Sequence, residues 1–341
     1  MGTTSALAPT AVGGDEVVFR LADPEHELDG VSLWLDLVLP ADWPEDLSLA
    51  PVEGGWELRL GLPDLDCLEY LFDAGGDMAP DPGNPDQVDG AFGPHSWLAL
   101  PGYAPPAWLE AEGRPGERHP LTVGDLDLEV WEPDGSAGEP LPLLLVHDGA
   151  EMDTYGRVLH YAATRPPMRV ALLSPGGARD ERYAANPAYA AALVGDVLPA
   201  LRAAYPTAYE PVLLGQSLGG LAALHAAWLY PTAFSGLMLQ SGSFFTPVLD
   251  PQESGYSHFD HVVGFVSMLH ESTGAPAGFP PVAITCGLAE ENLANNRLMH
   301  THLTELDVAV TWGEARQGHT WTCWRDTLDP HLGDLLDRVW A

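Results

Sequence analysis

The chain of 341 residues contains no lysine: its 14 basic residues, all arginine, face 49 aspartates and glutamates, a formal net charge of 14 − 49 = −35. So acidic a protein repels a phosphate backbone, and nucleic acid is excluded as the expected partner. Cysteine is scarce too. Cys67, Cys286 and Cys323 are odd in number and show no C-x-x-C spacing, so no disulfide framework is expected. Long apolar runs are missing: nothing approaches the ~18 residues of a membrane span, and MGTTSALAPTAVGGDEVVF lacks the basic stretch and apolar core of a secretory leader. Gly2 is followed by Ser5, which does not occupy the hydroxyl position of a myristoylation signal, so lipidation is not expected. These absences together point to a cytoplasmic protein without membrane insertion. The missing lysine, beside abundant Ala, Gly, Pro and Arg, reads as a bias of the source genome. The acidity fits solubility or a saline habitat and identifies no substrate.

What is present falls into two halves. A length of 341 residues exceeds the ~100 to 200 of a typical domain, and a hydrophobic content of 46% supports a sizeable core. From about Val17 to Leu100, strand-like runs alternate with turn clusters: VSLWLDLVLP, GWELRLGLP and CLEYLFDAGG. In WELRLGLP, Trp56, Leu58 and Leu60 alternate with Glu57, Arg59 and Gly61, as in a sheet with one buried face. Asp77 to Ser96, rich in proline and glycine, is expected as loop, and Pro101 to Pro120 holds the candidate linker. Thereafter strands alternate with helices, the pattern of an α/β domain. LPLLLV has no polar interruption, as expected of a parallel strand covered on both faces. RVALLSPGG, PVLLG, GLMLQSGS, VAITCG and VAVTWGEA supply further strands. Helices are expected over Glu151 to Ala163, Pro187 to Ala203, Leu218 to Leu229, Asn292 to Leu306 and Thr327 to Val339. The expected division is 1–105 for the β domain, 106–120 for the linker and 121–341 for the α/β domain.

Chemistry concentrates around LLGQSLGG, Leu213 to Gly220, where Ser217 centres a G-x-S-x-G pentapeptide between a strand-like and a helix-like run. A sharp strand-to-helix turn of this kind exposes the serine hydroxyl and aims the Leu218 N–H at a developing oxyanion. Serine is a poor nucleophile near neutral pH and needs a base, itself oriented by an acid. In α/β-hydrolases the chain order is nucleophile, acid, histidine. Of the downstream histidines, His319 follows a strand in the Gly-containing loop GEARQGHTW, whereas His225, His300 and His302 fall within expected helices. VAITCGLAEEN sets Glu290 and Glu291 just past a strand; Glu290 is the first choice as acid and Glu291 the alternative. Ala150, after LLLVHDG, is expected to supply the second oxyanion N–H. His258 and His261 stand three apart without further ligands at metal spacing, so no metal site and no cofactor is expected.

The strand and loop LLLVHDG, the elbow GQSLGG, the QSGSFF strand end, CGLAEEN and the terminal GHTWTCWRDTL resemble the enterochelin (ferric enterobactin) esterases and their relatives in the esterase D superfamily. LEYLFDAGGDMAPDPGNPDQV followed by SWLALPGY resembles the end of their immunoglobulin-like N-terminal domain. The resemblance covers roughly Leu33 to Leu336. It implies an α/β-hydrolase domain behind an N-terminal all-β immunoglobulin-like sandwich, and a serine esterase that opens the ester bonds of an iron-loaded siderophore in the cytoplasm. Its partner would be a small-molecule ester. Ser217, His319 and a carboxylate would carry the reaction, with Ala150 and Leu218 at the oxyanion. Arg179 fits an arginine position of the family, while Arg182 stands where an acid is frequent. A ferric catecholate is anionic, and Arg157, Arg179, Arg182 and Arg316 are candidates for a local basic patch, against the competing reading that each pairs with a carboxylate. Trp321 is a candidate substrate contact; with Trp324 it fits core packing equally well. The segment Phe244 to Phe279 is the expected cap. Other readings remain: an esterase or acyltransferase acting on other acyl esters such as acylated carbohydrate, and a non-catalytic hydrolase-fold binding protein.

Overall fold

The structure, a computed structural model, describes residues 7–91 and 93–341. Gly2 and Ser5, and Phe92 within the expected loop 77–96, lie outside the described residues. The chain forms two compact units: one takes the N-terminal residues through Ala104 with Leu288–Glu290 and Arg316–Thr320, the other takes Pro105–Gly287, Glu291–Ala315 and Trp321–Ala341.

The first unit is built from β1 (Ala11–Gly13), β2 (Glu16–Ala22), β3 (Ser32–Leu35), β4 (Ala50–Val52), β5 (Gly55–Gly61), β6 (Cys67–Ala74), β7 (Asp77–Ala79), β8 (Gln87–Gly90) and β9 (Gly93–Ala99). They form two antiparallel sheets, β1-β2-β5-β4 and β3-β6-β9-β8, with β7 paired to β6. Val17, Phe19 and Leu60 of one sheet and Leu33, Leu68, Tyr70 and Phe72 of the other share a single apolar core, the packing of a β-sandwich. Residues 77–96, expected as loop, instead carry β7, β8 and the start of β9. The physical reason is Asp81. Its buried carboxylate accepts from Tyr70 Oη at 2.8 Å, Thr10 Oγ1 at 2.6 Å and the Gly83 N–H at 2.7 Å, and its own N–H donates to Ser96 Oγ at 2.7 Å. The proline-rich turn thus folds around a polar post, and short strands can pair on either side of it.

The second unit contains β10 (Gly116–Val123), β11 (Leu126–Pro133), β12 (Leu143–Val146), β13 (Arg169–Ser174), β14 (Val212–Gln216), β15 (Gly236–Gln240), β16 (Val282–Gly287) and β17 (Val310–Ala315). They form one sheet in the order β10-β11-β13-β12-β14-β15-β16-β17, parallel from β13 through β17. Alternate residues face opposite cores. Leu143, Leu145, Leu213, Leu237, Leu239 and Ile284 enter one, and Leu144, Val146, Leu214, Met238 and Ala283 the other. Each fully buried leucine contributes about 2 kcal/mol of transfer free energy. The expected linker 106–120 is not a linker in this unit: Ala107–Glu110 forms a helical turn that buries Trp108 against Tyr161, and Gly116 already begins β10. As an edge strand, β10 tolerates Pro120 and leaves half its residues in solvent, which hides it from a hydrophobicity pattern.

Ten helices of the second unit concern the site or its support: α1 (Gly149–Thr154), α2 (Val158–Thr164), α3 (Arg179–Tyr183), α4 (Pro187–Ala192), α5 (Leu198–Ala204), α6 (Leu218–Leu229), α7 (Phe259–His270), α8 (Leu293–Glu305), α9 (Trp321–Asp326) and α10 (Gly333–Val339). The single helix expected over 151–163 is two, because Arg157 adopts a left-handed φ of 54° between α1 and α2. The one expected over 327–339 is preceded by α9 and broken at Pro330 before α10. The expected cap, 244–279, contains α7. Among the described residues no helix is long and apolar enough to cross a membrane.

Candidate active site

Ser217 is the hinge between β14 and α6. Its φ and ψ of 52° and −124° are a conformation that L-residues rarely adopt, and such strain is retained at sites where it aims a side chain. The turn closes because Gly215 has no side chain: a Cβ there would lie 2.2 Å from the carbonyl oxygen of Gly219. The Ser217 N–H donates to Gln240 O at 2.9 Å on the neighbouring strand, and its carbonyl accepts from Gly220 and Leu221, starting α6. The Leu218 N–H lies in the first turn of α6, where no helical carbonyl is available to it. The positive end of this 12-residue helix lies at the same place.

The second expected oxyanion donor, Ala150, follows β12. Asp148 turns the chain with φ 47° and ψ 45°, and Gly149 passes so close to β13 that a Cβ would sit 2.4 Å from Leu172 Cα. Before it, the fully buried His147 ring binds Gly219 O through Nδ1 at 2.8 Å. Burial holds that imidazole down to about 4, so at neutral pH it is uncharged and Nδ1 carries the proton it donates to this carbonyl.

In the first unit, His319 and Glu290 form a close pair. His319 Nδ1 lies 2.6 Å from Glu290 Oε2, with the carboxylate side chain fully buried and the imidazole 18% exposed. Donation from Nδ1 leaves Nε2 as the basic nitrogen. Glu291, the alternative acid, is exposed and belongs to the second unit. The two loops bearing the pair are tied to one another, Ala289 N–H to Gln317 O at 3.1 Å. They are also tied to the sandwich residues: Val38 N–H to Ala289 O at 2.9 Å, Asp66 N–H to Arg316 O at 2.7 Å. Glu290 lies in the loop after β16, three residues past its end, and His319 in the loop after β17, strands that run parallel to β14.

The arginines expected to face an anionic ligand are mostly engaged. Arg179 holds Asp148 in a two-pronged pair, 2.8 and 2.7 Å. Arg182 binds Asp125 and the Pro175 carbonyl, and Arg316 binds Asp64 and Asp66. Arg157 is exposed at the start of α2. Trp321 is half-buried at the start of α9, its ring 5.5 Å from Tyr155 and 4.8 Å from Trp324, whose indole N–H donates to Ser241 Oγ at 3.0 Å within the core. The rings of His258 and His261 are 5.8 Å apart, and no third metal-ligating residue joins them among the described residues.

Ser243, Asp148 and His147 escape a motif search. Ser243 Oγ lies 3.2 Å from Ser217 Oγ and its N–H donates to Ser217 O at 3.1 Å. The signal was the QSGS run ending β15, the strand beside β14. Its loop is braced by α8: Asn296 donates to Gly242 O and accepts from Gly242 N–H, and Asn292 donates to Ser241 O.

The sequence profile of the putative esterase family matches residues 122–340. The chain belongs to this family. The iron(III) enterobactin esterase of Escherichia coli (strain K12) is 29% identical over 144 residues, 41% of this chain and 34% of that protein. That of Dickeya dadantii (strain 3937) is 30% identical over 158 residues, 45% of this chain and 36% of that protein. The match therefore spans about a third of the length of these curated relatives, at 34% and 36%. Solved structures are similar over far more of the chain. The enterobactin esterase FES from Shigella flexneri, determined in the presence of enterobactin, has a TM-score of 0.77 at 20% identity, covering 95% of this chain and 93% of that one. The ferric enterobactin esterase from Salmonella typhimurium gives 0.75 at 20% identity, covering 95% and 94%. At such identity the likeness is one of fold: an α/β-hydrolase domain with an N-terminal β domain.

Proposed function

We propose that this protein is a serine esterase that cleaves the ester bonds of a siderophore of the enterobactin type, releasing its iron in the cytoplasm. The observation that carries it is the strained Ser217 elbow, in a family whose chain order supplies an acid and a histidine at the ends of two later parallel strands. His319 Nε2 accepts the Ser217 proton as Oγ attacks the ester carbonyl. The oxyanion is received by the N–H groups of Leu218 and Ala150, and Glu290 supports the imidazolium. Collapse expels the alcohol, which takes the proton back from His319. Water, deprotonated by the same imidazole, then releases the acid and restores Ser217.

The siderophore rests on the relatives named as iron(III) enterobactin esterases and on the neighbouring structure determined with enterobactin. The cytoplasm is supported by the three cysteines, all buried and none joined in a disulfide. Covalent labelling of Ser217 by a fluorophosphonate, abolished in Ser217→Ala, tests the nucleophile. A panel of ferric and iron-free catecholate triesters, acylated sugars and simple esters tests the substrate. Turnover of acylated sugars alone refutes the siderophore assignment, and an unlabelled Ser217 refutes the chemistry.

A further inference from the structure

Asp148 stands at the N-cap of α1, where an aspartate ordinarily folds its carboxylate back onto the N–H groups of the first turn. Here it makes no such bond. Both oxygens are turned away to Arg179, Oδ1 to Nε at 2.8 Å and Oδ2 to Nη2 at 2.7 Å. Asp148 is 4% exposed, so its carboxylate has little water to turn to. The Arg179 guanidinium lies over the Tyr183 ring at 5.3 Å, and the Tyr183 hydroxyl accepts the Asp148 N–H at 3.2 Å. On the preceding residue, His147 clasps Gly219 of the elbow. Two consecutive residues at the end of β12 thus anchor the segments that present Ala150 and Leu218.

We propose that Arg179 is a positioning residue: by engaging both oxygens of Asp148 it keeps that carboxylate off the Ala150 N–H and fixes the left-handed turn that presents this N–H to the oxyanion. This rests on the ester-hydrolase reading above. Without the guanidinium, Asp148 caps its own helix, and a negative charge occupies the place where negative charge must develop. Arg179 thereby acts on the rate, through Asp148, rather than on the grip on an anionic ligand.

The test uses the full chain and an uncharged activated ester, which an anion-binding arginine would not sense. Arg179→Met lowers kcat about ten- to a hundredfold, short of the 10²–10³ of deleting an oxyanion donor outright, with KM within about twofold. Arg179→Lys, which keeps a cation but loses the planar fork, falls between. Adding Asp148→Gly, which accepts the positive φ and removes the carboxylate, restores kcat to within about threefold of wild type. A merely structural role would not be rescued by a second substitution. Fluorophosphonate labelling to the wild-type endpoint and an unchanged pH–rate profile show that the fold, Ser217 and His319 are intact. The proposal is overturned if Arg179→Met leaves kcat for the uncharged ester unchanged and raises KM for anionic esters, or if Asp148→Gly fails to rescue. Wild-type protein that neither labels nor turns over any ester instead overturns the esterase reading itself.

Discussion

Replacing Glu290 by glutamine preserves the shape of the side chain and removes its charge. In the structure this carboxylate is fully buried and 2.6 Å from His319 Nδ1. In the proposed mechanism His319 takes the serine proton, and the new imidazolium and the carboxylate then have charge centres about 4 Å apart. At an effective dielectric of about 20 that attraction is about 4 kcal/mol. At about 1.4 kcal/mol per tenfold, its loss slows the chemical step about a thousandfold. Glutamine adds a second penalty, because an amide N–H facing Nδ1 favours the tautomer that leaves Nε2 protonated and unable to act as base. A fall in kcat of about 10³ to 10⁴ is expected, with KM little changed. The assay is kcat for an activated ester, normalised to labelled Ser217. Glu291→Gln, at an exposed neighbour, stays within about twofold. Retention of more than about a tenth of wild-type kcat in Glu290→Gln, or collapse of Glu291→Gln instead, refutes the pairing as the engine of catalysis.

Ser243→Ala removes a neutral hydroxyl contact to Ser217, and a net hydrogen bond of about 1 kcal/mol corresponds to about a fivefold loss in kcat/KM; an effect beyond about a hundredfold would give Ser243 a chemical role of its own. Arg169 is fully buried and holds Glu132 together with the carbonyls of Glu139, Pro206 and Ser136, so Arg169→Met destabilises by about 3–5 kcal/mol in urea unfolding; a loss below about 1 kcal/mol contradicts the pairing. Burial holds His147 and His225 down to about 4, so the unfolded chain binds more protons than the folded one between about 4 and 6.5. Stability is therefore complete above pH 6.5 and falls as the pH drops toward 4, by about 3 kcal/mol for His147; the pH 7-to-5 loss shrinks in His147→Asn, and an identical loss in both proteins refutes it. With a net charge of −35, raising the salt from about 20 to 500 mM shortens the screening length from about 20 to 4 Å and raises Tm; a flat or falling Tm contradicts self-repulsion as a cost of this composition.

The central strands are legible in sequence because LLLV, VLLG and GLMLQ are apolar on both faces, a demand that only a sheet covered on both sides makes. The elbow is legible for a related reason: GQSLGG leaves room for backbone against backbone where Gly215 meets Gly219. Strands β7, β8 and β10 are not legible, because they are short or half-exposed edge elements held by Asp81 and by pairing rather than by hydrophobic period. The break at Arg157 lies inside a run with good helical composition, where tertiary packing overrides propensity, whereas the break at Asp329 is local, since Pro330 disfavours a helical conformation in the residue before it. In AEEN, periodicity predicts neither which glutamate enters the core nor which meets solvent; that depends on a turn tied to residues about 250 positions away in sequence, Ala289 bonding Val38. Arg179 shows the same limit in reverse. Its place in the chain suggested a ligand cation, whereas its partner Asp148, 31 residues earlier, occupies both prongs of its fork.

The loops that carry Glu290 and His319 leave strands of the α/β sheet but fold with the sandwich unit, bonded to Val38 and Asp66. Modularity is therefore not where the family match would put it. Residues 122–340 contain every group assigned to the chemistry, yet a fragment cut to those limits loses the backbone partners of Ala289 and Arg316. Exchange of the N-terminal segment for that of a relative has to preserve the two short stretches around residues 38 and 66 if Glu290 and His319 are to keep their setting. Inheritance of these positions thus belongs with the enzyme's chemistry as much as with the stability of the sandwich.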